Sequence, residues 1–95
     1  MSDKIVTIVA RFKEIENELL KEDVFKDTSL YIKLNKEHSN LEPIVTIYKE
    51  VERLESEVRD NKELLEDPDP EIKRLAKSEL NTIEEKLFLA NQEFR

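Results

Sequence analysis

Apolar residues recur at alternating intervals of three and four along most of the chain, a spacing typical of one helix face in a coiled coil. The first run comprises five residues: Ile5, Ile8, Phe12, Ile15 and Leu19. Residues 21–29 break this period and end in Asp27, Thr28 and Ser29, all of which are favourable helix N-caps. We therefore predict that a first helix ends near residue 19 and that a second begins near residue 30.

The second apolar run is long and passes a proline without losing its phase. Its members are Leu30, Leu34, Leu41, Ile44, Tyr48, Val51, Val58 and Leu65. The alternation is kept through the charged residues Glu37, Glu55 and Lys62, which interrupt the apolar run. Two independent helices would have no reason to keep one angular position, so the unbroken phase favours a single helix from about Leu30 to Glu66, kinked near Pro43. Such a helix would be a rod of about 55 Å. Ser39 and Glu42 form a capping-box pattern that would instead split the helix.

A third run predicts a return helix after a well-specified turn. In "EDPDPEIKRLAKSEL", Asp69 can cap a helix whose first position is Pro70, and Glu71 suits the positive end of the helix dipole. The stripe that follows comprises Ala76, Leu80, Ile83, Leu87, Ala90 and Phe94, with Ile72 and Leu75 added near the turn. Because the connection is short, the third helix should run antiparallel to the second.

Together these patterns predict an all-α fold of three helices. The second and third helices form an extended antiparallel, coiled-coil-like hairpin, and Phe12, Ile15 and Leu19 pack the first helix against it. The 95 residues make a single helical domain, 1–95, because the chain is too short for a second core. The stripe is still running at Phe94 with no cap after it, so we expect a longer protein whose chain is cut within the third helix.

Composition narrows the function classes. The chain has no glycine and no cysteine, which excludes glycine-rich phosphate loops, disulfides and thiolate metal sites. A formal charge of -7 opposes general binding to nucleic acid phosphates. The apolar runs are too short for a membrane span or a signal peptide, and acids near the start argue against a transit peptide. A cytoplasmic protein without membrane contact fits best.

Few residues suggest chemistry. His38 is the only histidine, and zinc needs three or four ligands, so a solvated or packing role is favoured. Carboxylate pairs such as Glu84 with Glu85, or Asp67 with Asp69, are expected by chance on solvated faces and at a cap. We therefore predict no catalytic, cofactor-binding or metal-binding residues, no cofactor and no enzymatic activity.

One local basic cluster, made of Lys73, Arg74 and Lys77, could touch a phosphate. Charge pairing within the hairpin explains this cluster equally well, since exposed ion pairs are common and weak. Contacts with partners are expected at the two ends of the rod, around Asp23 to Ser29 and around Asp67 to Lys77, because its long sides are occupied by helix packing or by like charge. Loops on a rigid scaffold are also where binding usually resides.

Two motifs in order carry a family resemblance. "LNKEHSNLEPIVTIYKEV" from Leu34 to Val51, followed by "ELLEDPDPEIKRLAKSEL" from Glu63 to Leu80, resembles the N-terminal helical domain of bacterial class I peptide chain release factors. The resemblance begins with "RFKEIENELL" and covers nearly the whole chain. It implies a role in translation termination, where the full-length family directs stop-codon-dependent peptide release at UAA or UAG.

The resemblance also implies partners. Family members read the stop codon through a tripeptide and trigger hydrolysis through a Gly-Gly-Gln loop, both in other domains, and a chain without glycine cannot contain that loop. The N-terminal domain would contact the stalk base of the large ribosomal subunit, its proteins and nearby rRNA, as well as the class II release factor and the remaining domains of its own chain. A freestanding acidic coiled-coil adaptor stays open as an alternative, and so does self-association of the fragment.

Overall fold

The computed structural model describes residues 3–93, which are helical with short connections and contain no strand. In this range there are four helices: α1 (Asp3–Leu19), α2 (Glu22–Lys26), α3 (Thr28–Leu64) and α4 (Pro70–Gln92). The prediction of an all-α fold is confirmed. Phe94, on which the expectation of a cut helix rested, lies outside the described residues.

Three of these helices correspond to the three predicted from the apolar pattern, and α2 is an addition. It occupies the segment in which the apolar period breaks. A helix of five residues completes little more than one turn, too few for a 3.6-residue period to show in the sequence. The helix nevertheless contributes to the core, because Val24 is only 4% exposed.

Helix α3 runs without interruption through Pro43. The alternative that Ser39 and Glu42 cap a new helix is therefore wrong, since both residues lie inside α3. Its start is set by Asp27, whose carboxylate accepts a hydrogen bond from the backbone N–H of Leu30 at 3.1 Å. Of the three candidate N-caps, Asp27, Thr28 and Ser29, only Asp27 acts as the cap, because α3 already begins at Thr28.

The chain forms two compact units, one extending to Thr46 and the other starting at Ile47. Helix α3 contributes residues to both units, and the expectation of a single domain stays a prediction. In the first unit Ile15, Val24 and Leu34 form a buried cluster. The partly buried residues packed against this cluster are Leu19, Tyr31 and Leu41. The three helices of the first unit therefore share one small core.

The second unit consists of the remainder of α3 and of α4. Its buried residues are Val51 and Leu54 on α3 and Ala76 and Ile83 on α4. Each helix thus carries a buried stripe, and the connection between the helices is only five residues long, 65–69. Burial of both stripes across a short connection is consistent with the predicted antiparallel hairpin.

The predicted apolar stripes are correct in position but not in every member. Leu30 is 37% and Leu75 is 51% exposed, whereas Leu54 is only 1% exposed although the stripe omitted it. After Val51, the next core-facing residue of α3 can lie three or four positions further along the helix. The prediction placed it at Glu55, and the structure buries Leu54 instead. A core-facing helix also buries a face wider than a single line of residues, which accounts for the buried Val9 and Val45.

Candidate functional site

In the first unit, hydrogen bonds between Arg11 and Glu37 connect α1 to α3. The guanidinium of Arg11 donates two hydrogen bonds to the carboxylate of Glu37, at 2.6 and 2.9 Å. A third hydrogen bond, at 2.7 Å, goes to Glu14 on α1 itself. The hydrogen bonds from Arg11 lower the pKa of Glu37 below its ordinary value of 4.5, because they stabilise the ionised carboxylate.

His38 lies in the same interface and packs on Phe12. The two rings are stacked with centroids 4.2 Å apart and planes inclined by 25°. The imidazole Nε2 lies 3.3 Å from a carboxylate oxygen of Glu16, and Nδ1 lies 3.9 Å from one of Glu42. We call Arg11, Phe12, Glu37 and His38 the α1 anchor. The structure thus places the only histidine in helix packing.

Metal binding finds no support in this arrangement. Within residues 3–93, no three His, Cys, Asp or Glu side chains are grouped so that they could hold a metal ion. The prediction that the chain has no catalytic, cofactor-binding or metal-binding residue stays a prediction.

The first of the two predicted contact regions, Asp23 to Ser29, contains an exposed aromatic side chain. Phe25 is 66% exposed although its neighbour Val24 is buried. Its ring meets the ring of Tyr31 edge-on, with centroids 5.4 Å apart and an interplanar angle of 81°. The apolar pattern alone gave no sign of this pair, because Phe25 and Tyr31 belong to different helices and come together only through the turn at Asp27.

The second predicted contact region, Asp67 to Lys77, is held mainly by its own hydrogen bonds. The carboxylate of Asp69 accepts from the backbone N–H of Glu71 at 2.9 Å, and that of Asp67 accepts from the N–H of Asp69 at 2.8 Å. Asp69 therefore caps α4 as predicted, with Pro70 at the first helical position. The Asp67 and Asp69 carboxylates thus both accept hydrogen bonds from the backbone of the turn.

The basic cluster in this region is partly neutralised. The guanidinium of Arg74 forms an ion pair with Glu71, and its hydrogen bonds lower the pKa of that carboxyl below the ordinary 4.5. Among residues 3–93, neither Lys73 nor Lys77 has a carboxylate within ion-pair distance. Two cations on the surface of a chain of net charge -7 make a weak phosphate site.

Negative charge is concentrated in one stretch of the chain. Residues 50–71 contain ten acidic and three basic side chains, a net charge of -7 that equals the formal charge of the whole chain. Arg53 bonds to Glu50 and Glu57, at 2.6 Å in each case, so one of the three cations is already paired. The second half of α3 and the connection to α4 therefore form a strongly acidic surface, which favours a basic partner over bare nucleic acid.

A shallow, open groove also lies on the second unit. It is lined by Val58, Lys62, Glu84, Leu87, Phe88 and Asn91. Glu84 lines this groove, whereas its exposed neighbour Glu85 does not. An open groove of mixed polarity does not enclose a small molecule as ligand pockets usually do.

Comparison with known proteins identifies the class. Residues 8–95 match the PCRF domain family. Relatives named peptide chain release factor 1 include those of Lawsonia intracellularis, 38% identical over 88% of this chain, and of Campylobacter jejuni, 40% identical over 90% of it. The relative from Nitratidesulfovibrio vulgaris is 34% identical over the whole chain. No solved structure matches this chain.

These matches establish the family. The chain belongs to the PCRF domain family and represents the N-terminal helical domain of class I peptide chain release factors. It spans about a quarter of the length of the curated relatives it matches, between 23% and 27% of each. The resemblance seen in the two sequence motifs is confirmed. In residues 3–93, each helix falls short of the length or apolar character needed to cross a membrane.

Proposed function

We propose that this chain is the N-terminal part of a factor that acts in translation termination in the cytoplasm, and that it supplies contacts rather than catalysis. The observation that carries the proposal is the family match over residues 8–95. Its partners would be the stalk base of the large ribosomal subunit, the class II release factor and the remaining domains of its own chain. Stop-codon reading and peptide hydrolysis would belong to those other domains.

The charge of the chain supports a protein partner. The surface formed by residues 50–71, with its ten acids, would repel the phosphates of rRNA, and salt would screen that repulsion only in part. Many ribosomal proteins expose lysine and arginine, and an acidic surface accelerates association with such proteins more than it raises their affinity. A role in recruitment and recycling of the factor suits this acidic surface better than a role in peptide hydrolysis.

The proposal also excludes hydrolysis by this domain. Catalysis of acyl transfer needs a nucleophile or a positioned water, a base and an oxyanion site within a few ångströms of one another. Several carboxylates of the described residues instead serve a cap or a surface ion pair, as Asp69 and Glu71 do.

Deletion of this domain from the full-length factor tests the proposal. We expect peptide release at saturating factor to change little, and recycling by the class II factor and association with the stalk base to fall. Release is measured on ribosomes stalled at a stop codon with labelled peptidyl-tRNA, and recycling by exchange of the labelled factor.

A large loss of release at saturating factor, with recycling intact, would contradict the proposal. Equal release and equal recycling with and without the domain would instead favour the alternative, an acidic coiled-coil adaptor that mediates protein contacts outside termination.

A further inference from the structure

Exposed apolar residues are frequent in the segment that contains the short helix α2. Among residues 3–93, nine large hydrophobic residues are exposed, and four of these lie between residues 20 and 32. They are Leu20 at 85%, Phe25 at 66%, Leu30 at 37% and Ile32 at 62% exposed. Among these residues Phe25 is in contact with the ring of Tyr31, and exposed apolar groups that lie together on a charged protein commonly mark an interaction site.

The way α2 is held explains why Phe25 points outward. Val24 lies in the core formed with Ile15 and Leu34. Each residue of an α-helix is rotated by about 100° from the one before it, so Phe25 points away from that core. The Phe25 ring then rests edge-on against Tyr31, which restricts its motion. An aromatic side chain held in place before binding loses little entropy on binding, and aromatic residues are enriched at the centres of protein interfaces. We call Leu20, Phe25, Leu30 and Tyr31 the Phe25 surface.

The charges around this surface indicate the chemistry of its partner. Between residues 20 and 32 there are three acids, Glu22, Asp23 and Asp27, and two lysines. Both lysines are engaged in ion pairs within the chain, Lys21 with Glu18 at 2.7 Å and Lys26 with Glu22 at 3.0 Å. No lysine in this segment is therefore left unpaired to meet a phosphate. The carboxylate of Asp23 forms no ion pair within residues 3–93, and Asp23 belongs to the same short helix as Phe25.

We propose that the Phe25 surface docks on a protein whose apolar pocket is rimmed by lysine or arginine, and that this contact holds the chain on the large ribosomal subunit. The inference rests on the proposed function and adds to it the surface that is used. Phe25 fills the pocket, and Asp23 meets a cation on its rim. Of the two contact regions predicted from the sequence, the region from Asp23 to Ser29 is then the principal one.

The test compares two phenylalanines of similar exposure. Phe25 is 66% and Phe88 is 63% exposed, and only Phe25 belongs to the proposed surface. Binding of the purified 95-residue chain to isolated large ribosomal subunits is measured by biolayer interferometry for wild type, Phe25→Ser, Leu20→Ser and Phe88→Ser. We expect Phe25→Ser to weaken binding about tenfold or more, as loss of an aromatic anchor does, Leu20→Ser to weaken it less, and Phe88→Ser to leave it unchanged. Circular dichroism verifies that each variant keeps its helix content.

A charge reversal distinguishes a protein partner from RNA. Asp23→Lys should weaken binding if the rim of the partner is basic, and should strengthen binding if the surface meets phosphates; the second result would overturn the proposal. Equal weakening by Phe25→Ser and Phe88→Ser would overturn it as well, as would unchanged binding of both. If the wild-type chain does not bind large subunits at all, the proposed function fails and this inference falls with it.

Discussion

Single residues set the contact between α1 and α3. A guanidinium that donates two hydrogen bonds to one carboxylate constrains both distance and orientation, and Arg11 does so with Glu37 across the first unit. The stacked rings of Phe12 and His38 lie beside this pair. Apolar residues such as Ile15 supply burial, whereas these directional contacts select one register of α1 along α3.

The Arg11–Glu37 pair makes part of the stability dependent on acid. The pKa of Glu37 is lowered from 4.5 in the folded chain, so the pair contributes its full stabilisation above that pH. The contribution is lost as the pH falls through the lowered pKa, because the folded state must then take up a proton that the unfolded state already holds. We expect Glu37→Gln to melt at a lower temperature than wild type at neutral pH, and the difference to shrink below about pH 4.5.

Thermal melting followed by circular dichroism over a pH series checks this expectation. Glu79→Gln is the matched control, because Glu79 is exposed and forms no ion pair within residues 3–93. A difference between Glu37→Gln and wild type that stays constant with pH would show that the ion pair does not couple to folding.

At the scale of the helices, burial along α4 is graded. Ile83 is 2% exposed, Leu80 is partly buried, and Leu89 is 62% exposed. Truncation to alanine removes buried methyl groups and leaves a cavity, which costs about 2 to 5 kcal/mol at a fully buried site. We expect this cost for Ile83→Ala, a smaller one for Leu80→Ala and almost none for Leu89→Ala, measured by urea unfolding.

Leu80 belongs to the predicted apolar stripe of the third helix, and full burial there would give Leu80→Ala the same cost as Ile83→Ala. If Leu80→Ala destabilises the chain as much as Ile83→Ala does, the structure underestimates the burial of Leu80. If Ile83→Ala costs as little as Leu89→Ala, the second unit does not bury α4 as described.

Pro43 offers a second test at the scale of the helix. Proline in a helix interior cannot donate to the carbonyl four residues earlier and is less favourable than alanine by about 3 kcal/mol. Because α3 continues through Pro43 and the side chain is exposed, we expect Pro43→Ala to raise the free energy of unfolding by up to this amount. Chemical denaturation measures the change. A loss of stability would mean that the helix depends on the proline, as it would if a new helix began there.

For the molecule as a whole, the charge and the missing glycine lead to one expectation about activity. A formal charge of -7 without a single glycine fits a domain that binds partners and leaves hydrolysis to others. We therefore expect the purified 95-residue chain to release no peptide from peptidyl-tRNA on ribosomes programmed with a stop codon. Release is followed with labelled peptide, and a full-length factor serves as the positive control. Stop-codon-dependent release by this chain alone would contradict the assignment of its role.

The candidate contact regions show how far sequence reasoning reaches into function. Asp69 could be identified as a helix cap and Asp67 to Lys77 as a turn, because capping and turn formation depend on neighbouring residues. The Phe25 and Tyr31 pair could not be identified in the same way. Its two rings come from different helices, and the one-turn helix that orients Phe25 is too short to leave a periodic signal.

The sequence by itself determined the helical class, the cap at Asp69, the turn before α4 and the family, because local spacing and short motifs carry this information. The phase of the apolar stripe already favoured one helix through Pro43 and left the capping alternative open, which the structure decided against. Only the tertiary structure decided that Leu54 and not residue 55 is buried, and that Arg11 meets Glu37. Each of these outcomes depends on contacts between residues far apart in the chain. Burial and pairing with a second helix can override local preference, since their free energies equal or exceed those of a cap or a single helix propensity.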